Sequence, residues 1–194
     1  MCFFYVTVTD GESMENTLQD RQLFIVQRLA YTIERGDIVT VNTAADDEEE
    51  HLLIKRVLGI SGDKLIFMKS AGGGHIELYR RNCGSSHYEL LDEPYLKEAM
   101  SISSNYYATL IINHINGFTE IDFSADPAET ARYEKAAISV PDDSIYFLGD
   151  NRNESLDSRF YGTRTKNCVR GKLVKIVNQN SSTEAFLKFI YSLN

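Results

Sequence analysis

The sequence predicts a mainly β protein: an antiparallel β-sheet core, a smaller β-rich subdomain inserted into it, and one or two short helices. Three observations carry this reading. Apolar residues recur with a period of two, in short runs rich in β-branched and aromatic side chains. After Arg81 this alternation gives way to short mixed segments, and it returns at Ser144. Helical patterning is confined to one run inside the mixed region and one at the C-terminus.

The elements follow in order. "FFYVTVT" (Phe3 to Thr9), "QLFIVQR" (Gln22 to Arg28), "DIVTVNT" (Asp37 to Thr43) and "HLLIKRVLGI" (His51 to Ile60) read as strands, with a turn at "RGD" (Arg35 to Asp37). "KLIFMK" and "HIELYRR" flank "SAGGG" and form a hairpin with a flexible loop. The mixed region holds "EPYLKEAM", "YYATLIINHI" and "FTEIDF". Asp126 then Pro127 has the form of an N-cap followed by a first-turn proline, so "PAETARYEKAA" is a short helix. "SIYFLGD" (Ser144 to Asp150) and "GKLVKIV" (Gly171 to Val177) are strands, and "STEAFLKFIYSL" has an amphipathic helical pattern opened by Ser182 or Thr183. Residues 1–68 and 139–180 are thus assigned to the β core, 69–138 to the insertion and 181–194 to a tail.

The bulk properties exclude several functions. A chain of 194 residues with 43% hydrophobic and 25% charged residues has enough apolar side chains for a packed core. Its formal net charge of -8 argues against a nucleic-acid partner, which needs a basic face. "DDEEE" at Asp46 to Glu50 is a like-charge run with the look of a solvated loop tip. Cys2, Cys83 and Cys168 are widely spaced and the four His scattered, so neither a metal site nor a cofactor is expected. Cys83 and Cys168 are the pair with a chance of bridging. No run approaches the ~20 apolar residues of a membrane span, and "CFFYVTV" is too short for a signal-peptide core. The chain is either soluble or starts after an anchor.

Lys55 and Arg56 stand side by side in a strand with apolar residues on both faces, Leu53 and Val57 beside Lys55, Ile54 and Leu58 beside Arg56. A strand covered on both sides makes two cations costly unless they are paired or neutral. Arg56 cannot shed its proton and needs a carboxylate; Lys55 can, and burial favours its neutral form, a competent general base. Read alone, such a pair is more ordinarily an exposed one at a sheet edge. Ser13 in "DGESM" is likewise an ordinary turn serine taken by itself, yet it follows a strand and has Gly11 beside it, where a second backbone could approach. A neutral lysine can activate a serine without His or Asp.

Together the segments resemble the type I signal peptidases, in the form found in Gram-positive bacteria. "SM" followed by "TL" is similar to that family's nucleophile motif, "IKRVLGISGDKL" to its lysine motif and "GDNRNESLDSRFYG" (Gly149 to Gly162) to its third signature. "EPYL" at Glu93 to Leu96 and "VRGKLVKIV" resemble further segments, all in the family's order. The resemblance implies a β catalytic core like that of signal peptidases and self-cleaving repressors. It implies Ser13 as nucleophile, Lys55 as general base, Met14 lining the site and Ser155 hydrogen-bonding the lysine amine. It also implies a buried ion network of Arg56, Asp157 and Arg159, with Asp150 and Arg152 near the site.

The implied function is removal of signal peptides from secreted preproteins that carry small residues before the cut, at the membrane surface on the extracytoplasmic face of the cytoplasmic membrane. Three departures stand out. Asn16 occupies a position where the family usually has Pro. Gly11 occupies one where some members have a serine that donates to the oxyanion, which leaves that task to backbone N–H groups, chiefly that of Ser13. Only twelve residues precede Ser13, so the family's membrane anchor is expected to have been truncated. Two rivals share parts of the pattern. A self-cleaving repressor-type peptidase also shows "SM" but has no need of Gly149 to Gly162. A non-catalytic relative acting in surface-fibre assembly would not keep both Ser13 and Lys55.

Overall fold

A computed structural model describes residues 3–44, 51–70, 74–101, 131, 134–135 and 137–177. The period-two segments pair into two antiparallel sheets. The first has seven strands in the order β1 (Phe4–Val8), β2 (Leu23–Gln27), β12 (Val169–Val177), β3 (Ile38–Asn42), β4 (Leu52–Ile60), β10 (Ser144–Leu148) and β11 (Arg164–Thr165). β12 enters between β2 and β3, so the two ends of the chain build this sheet together. The second sheet joins β7 (Glu89–Leu90), β6 (His75–Arg81), β5 (Lys64–Lys69) and β9 (Ile138–Ser139), with β8 (Met100–Ser101) also on β6. It takes up the chain from Lys64, earlier than the break placed at residue 69.

The alternation explains the packing. Val39, Val41, Val57, Ile145 and Phe147 point from neighbouring strands into one cluster of the first sheet. On the other side Leu58, Tyr146 and Leu148 meet Leu65, Phe67, Ile76 and Leu78 of the second sheet, so one core joins the two sheets. Gly59 lets them approach: a Cβ there would lie 2.7 Å from Leu65 Cδ1. The turn from β4 to β5 uses Gly62 at φ +82, which favours glycine. Buried Asp63 closes this turn, accepting from the Ile60 and Cys83 N–H groups at 3.0 Å each and from Arg35 at 2.7 and 2.6 Å. This ion pair tethers the "RGD" turn to the start of the second sheet.

β4 is covered from Lys55 to Gly59, but Leu52 is 47% exposed. The expectation of cover along the whole strand fails at that end because β10 pairs with β4 only from Arg56 onward. Ala131, Glu134 and Lys135 are helical, in the run read as a helix; the rest of that run, "YYATLIINHI", "FTEIDF", "DDEEE" and the tail lie outside the described residues. Cys83 and Cys168 are free thiols, which corrects the suggestion of a bridge between them.

Candidate active site

The turn after β1 carries Ser13. Met14 and Leu18 anchor it, both buried against Ile38, Ile54, Leu173 and Ile176. Met14 was expected to line the site; its side chain is core instead. The turn closes through Leu18 N–H to the Met14 carbonyl at 2.8 Å and Glu15 N–H to the Glu12 carbonyl at 2.9 Å. Gly11, at φ +89, donates its N–H to Asp20 Oδ1 at 2.8 Å, so its glycine is required by conformation and not by crowding.

β4 delivers Lys55 from across the sheet. Its Nζ lies 2.7 Å from Ser13 Oγ and donates to the Ile54 carbonyl at 2.8 Å. Lys55 is 2% exposed. Burial lowers its pKa from 10.5 to about 8, against the pull of Asp157 and Asp150 and with the help of Arg159. A substantial fraction of the amine is therefore neutral at mildly alkaline pH, beside a hydroxyl whose proton it can accept.

The segment after β10 grips the nucleophile turn. Asn151 N–H donates to the Ser13 carbonyl at 3.1 Å, and Asn151 Nδ2 to the Glu12 carbonyl at 3.2 Å. Gly149 is where the backbones touch: a Cβ would lie 2.5 Å from the Ser13 carbonyl oxygen and 2.2 Å from Ser155 Oγ. The charged residues of this segment form separate pairs. Arg159 holds Asp157 through two bonds of 2.8 Å and also donates to the Arg152 and Ser155 carbonyls. Burial alone would raise Asp157, yet Arg159 and the Gly149 N–H hold its carboxyl below the usual range. Arg152, fully buried, is held by Glu93, with one contact at 2.9 Å. Arg56 holds Asp150, at 2.8 and 2.6 Å.

Two expectations need correction. Arg56 pairs with Asp150 and not with Asp157, because Asp157 lies at the N-cap of the short helix Ser158–Tyr161 and both its oxygens serve Arg159. Ser155 does not hydrogen-bond the Lys55 amine; its Oγ is buried against Gly149 and acts on Asp157, whose carboxyl it helps to hold down. The sequence reading missed the roles of Glu93 and Thr17, and noted Asn16 only as a departure from the family's Pro. Thr17 Oγ1 donates to Asp150, and Asn16 Nδ2 donates to the Tyr95 carbonyl at 2.8 Å. Glu93 sat within the quoted "EPYL", but nothing in its neighbourhood names a partner 59 positions on.

Among the described residues no group of three or more His, Cys, Asp or Glu is placed to hold a metal ion, and no helix is long and apolar enough to cross a membrane.

Residues 1–177 match the family described as signal peptidase, peptidase S26. Signal peptidase I of Bacillus caldolyticus is 30% identical over 169 residues, covering 86% of this chain and 75% of that protein. Signal peptidase I of Bacillus amyloliquefaciens is 32% identical over 168 residues, covering 84% and 70%. A solved signal peptidase I from Enterococcus faecalis aligns with a TM-score of 0.41 at 19% identity, over 75% of this chain and all of that one. With a serine and a lysine in contact on a β core, and a family match running from the first residue through β12, the chain belongs to the signal peptidase, peptidase S26 family of serine endopeptidases, which remove signal peptides from secreted preproteins.

Proposed function

We propose that Ser13 is the nucleophile and Lys55 the general base of this peptidase. The observation that carries the reading is the 2.7 Å contact between Nζ and Oγ at a lysine whose pKa burial has brought down to about 8. Neutral Lys55 takes the Ser13 proton as Oγ attacks the scissile carbonyl. The resulting ammonium returns the proton to the leaving amine as the C–N bond breaks, leaving an acyl-enzyme. Lys55 then activates water, and hydrolysis restores the free serine. The Ser13 N–H has no acceptor among the described residues and is positioned beside its own Oγ, so it is the donor for the oxyanion. Asp150, Arg152, Asp157 and Arg159 hold the frame around the two reacting groups and touch neither substrate nor reacting atoms.

The substrate binds as an extended strand. From Leu52 to Lys55 the edge of β4 facing β10 has no strand paired to it among the described residues, and this edge ends at the base. A preprotein segment added there places its cleavage site at Ser13, with small residues before the cut filling shallow pockets. Phe4 at the start of the edge strand β1 and Phe3 just before it, both about half exposed, provide an apolar contact for the membrane surface, on the extracytoplasmic side where preproteins emerge. The seven-stranded sheet acts as the catalytic unit, and the second sheet, which opens at Lys64, is inserted in it.

Cleavage of a fluorogenic signal-peptide substrate by the wild type, Ser13→Ala and Lys55→Ala tests this. Each substitution is expected to lower kcat on the order of 10⁴-fold, and the wild-type rate to rise with pH through a midpoint near 8 while remaining insensitive to EDTA. Equal rates in the three proteins would discard the enzyme assignment of these residues.

A further inference from the structure

The Glu93–Leu96 segment belongs to neither reacting group, yet it touches the nucleophile turn and the base strand at once. Its Tyr95 carbonyl accepts from Asn16 Nδ2 at 2.8 Å. Its Tyr95 ring lies over Arg56, with Cζ 4.0 Å from the ring centroid, close enough for a cation–π contact. Arg56 is the neighbour of Lys55 on β4, and its guanidinium holds Asp150 and donates to Thr17 Oγ1 at 3.3 Å. Thr17 in turn donates to Asp150 and is the residue after Asn16. The contacts therefore close a ring: Tyr95, Arg56, Asp150, Thr17, Asn16 and back to Tyr95. Glu93 fixes the segment from below, accepting from the Tyr95 hydroxyl at 2.6 Å and from buried Arg152.

The backbone explains why Asn16 is needed. It stands at φ +83, a left-handed conformation that Gly and Asn tolerate best. Proline, the residue the family resemblance leads one to expect there, is locked near φ −65° and cannot adopt it. What a proline ring would supply in rigidity is supplied here by a side-chain bond to a neighbouring segment.

We propose that Tyr95 is a positioning residue for the Ser13–Lys55 pair, steadying the serine turn through Asn16 and the lysine strand through Arg56. The inference rests on the assignment of Ser13 and Lys55 as the reacting groups. Loss of the ring loosens Arg56 and Asp150 and lets water reach the lysine. The charged groups acting on Lys55 are Asp157, Asp150 and Arg159, all from the segment after β10, with Arg56 next to it on β4.

The test measures kcat, KM, melting temperature and the Lys55 titration, the last by NMR of ¹³C-labelled lysine, in the full chain. For Tyr95→Leu, kcat is expected to fall about 10- to 100-fold through misplacement of the dyad, with KM little changed and the Lys55 midpoint moved above 8. Tyr95→Phe should recover most of the loss, because the ring stays over Arg56. Asn16→Gly keeps the backbone conformation but removes the bond to Tyr95, and should lower kcat roughly fivefold, the size of one hydrogen bond. Should Tyr95→Leu fail to fold, Asn16→Gly decides: a lower kcat at unchanged melting temperature upholds the proposal, and an unchanged kcat overturns it. Variants that lose melting temperature while keeping kcat and the lysine midpoint overturn it too. A wild type that cleaves nothing, but whose lysine midpoint still moves in Tyr95→Leu, would remove the peptidase mechanism and leave the positioning role standing.

Discussion

Strands β4 and β5 follow one another in the chain and are buried on opposite principles. β5 sinks Leu65, Ile66, Phe67 and Met68 in succession, all apolar, into the contact between the sheets and the cluster behind it. β4 and the segment after β10 bury Lys55, Asp150, Arg152 and Asp157, each at most 2% exposed. The apolar strand needs only shape and volume. The charged region needs a partner for every ion, and each has one: Ser13 and the Ile54 carbonyl for Lys55, Arg56 for Asp150, Glu93 for Arg152, Arg159 for Asp157. The difference teaches that this site is made by charge pairing that holds an amine in a dry place, while the second sheet supplies packing behind it.

The sharpest way to break that contrast compares Asp157→Ala with Leu65→Ala. Removing Asp157 leaves Arg159 buried and unpaired and should destabilise the fold by about 3 to 5 kcal/mol. Leu65→Ala creates a cavity in the core and should cost about 2 to 5 kcal/mol. Urea unfolding will show similar losses, but the pH profile will separate them. Asp157 raises the Lys55 pKa and Arg159 lowers it, so Asp157→Ala moves the activity midpoint below 8, and Leu65→Ala leaves it in place. A shift of the same size in Leu65→Ala would mean that the two regions are not distinct.

Lys55 itself provides the next test. The unfolded chain holds this proton up to about 10.5 and the folded chain releases it near 8. Between these values the unfolded state binds more protons, so stability rises with pH; below about 8 the full penalty applies. A shift of this size corresponds to about 3 kcal/mol. Lys55→Met is therefore expected to be inactive yet more stable than the wild type at pH 7, by up to that amount, with the advantage fading towards pH 10. Urea unfolding at the two pH values measures it. A less stable methionine variant at pH 7 would show that the bonds to Ser13 and Ile54 outweigh the burial of the charge.

The same contrast accounts for what the sequence disclosed. The strands were legible from their runs of β-branched and aromatic residues, and β5 and β6 run over the residues their patterns indicated. Ser13 and Lys55 were legible as a pair because their motifs are local and chemically unusual together. The partners were not. Arg56 had two aspartates to choose from in one loop, Asp150 and Asp157, and the helix cap at Asp157 decided the choice in three dimensions. The Ser155 hydroxyl was expected at the amine; it lies buried against Gly149 and acts on Asp157 instead. Asp63 with Arg35, and Arg152 with Glu93, join residues far apart in the chain, which no local pattern encodes.

The smallest expected effect lies at the surface beside the charged region. Lys97, just past the Glu93–Leu96 segment, faces Glu15 of the nucleophile turn at 4.0 Å, with 62% of the lysine side chain exposed. It links the same two elements as the Asn16–Tyr95 bond, but through solvent-exposed charge. Exposed pairs of this kind contribute about 0 to 1 kcal/mol and are weakened further by salt. Lys97→Ala should thus leave kcat and KM unchanged and alter stability by no more than about 0.5 kcal/mol, as read by steady-state kinetics and urea unfolding at low and high salt. A loss of kcat that grew at low salt would show that charge, and not the hydrogen bond and ring at Tyr95, ties the segment to the turn. The line drawn between paired buried ions that shape the site and surface ions that do not would then have to be moved outward to include this pair.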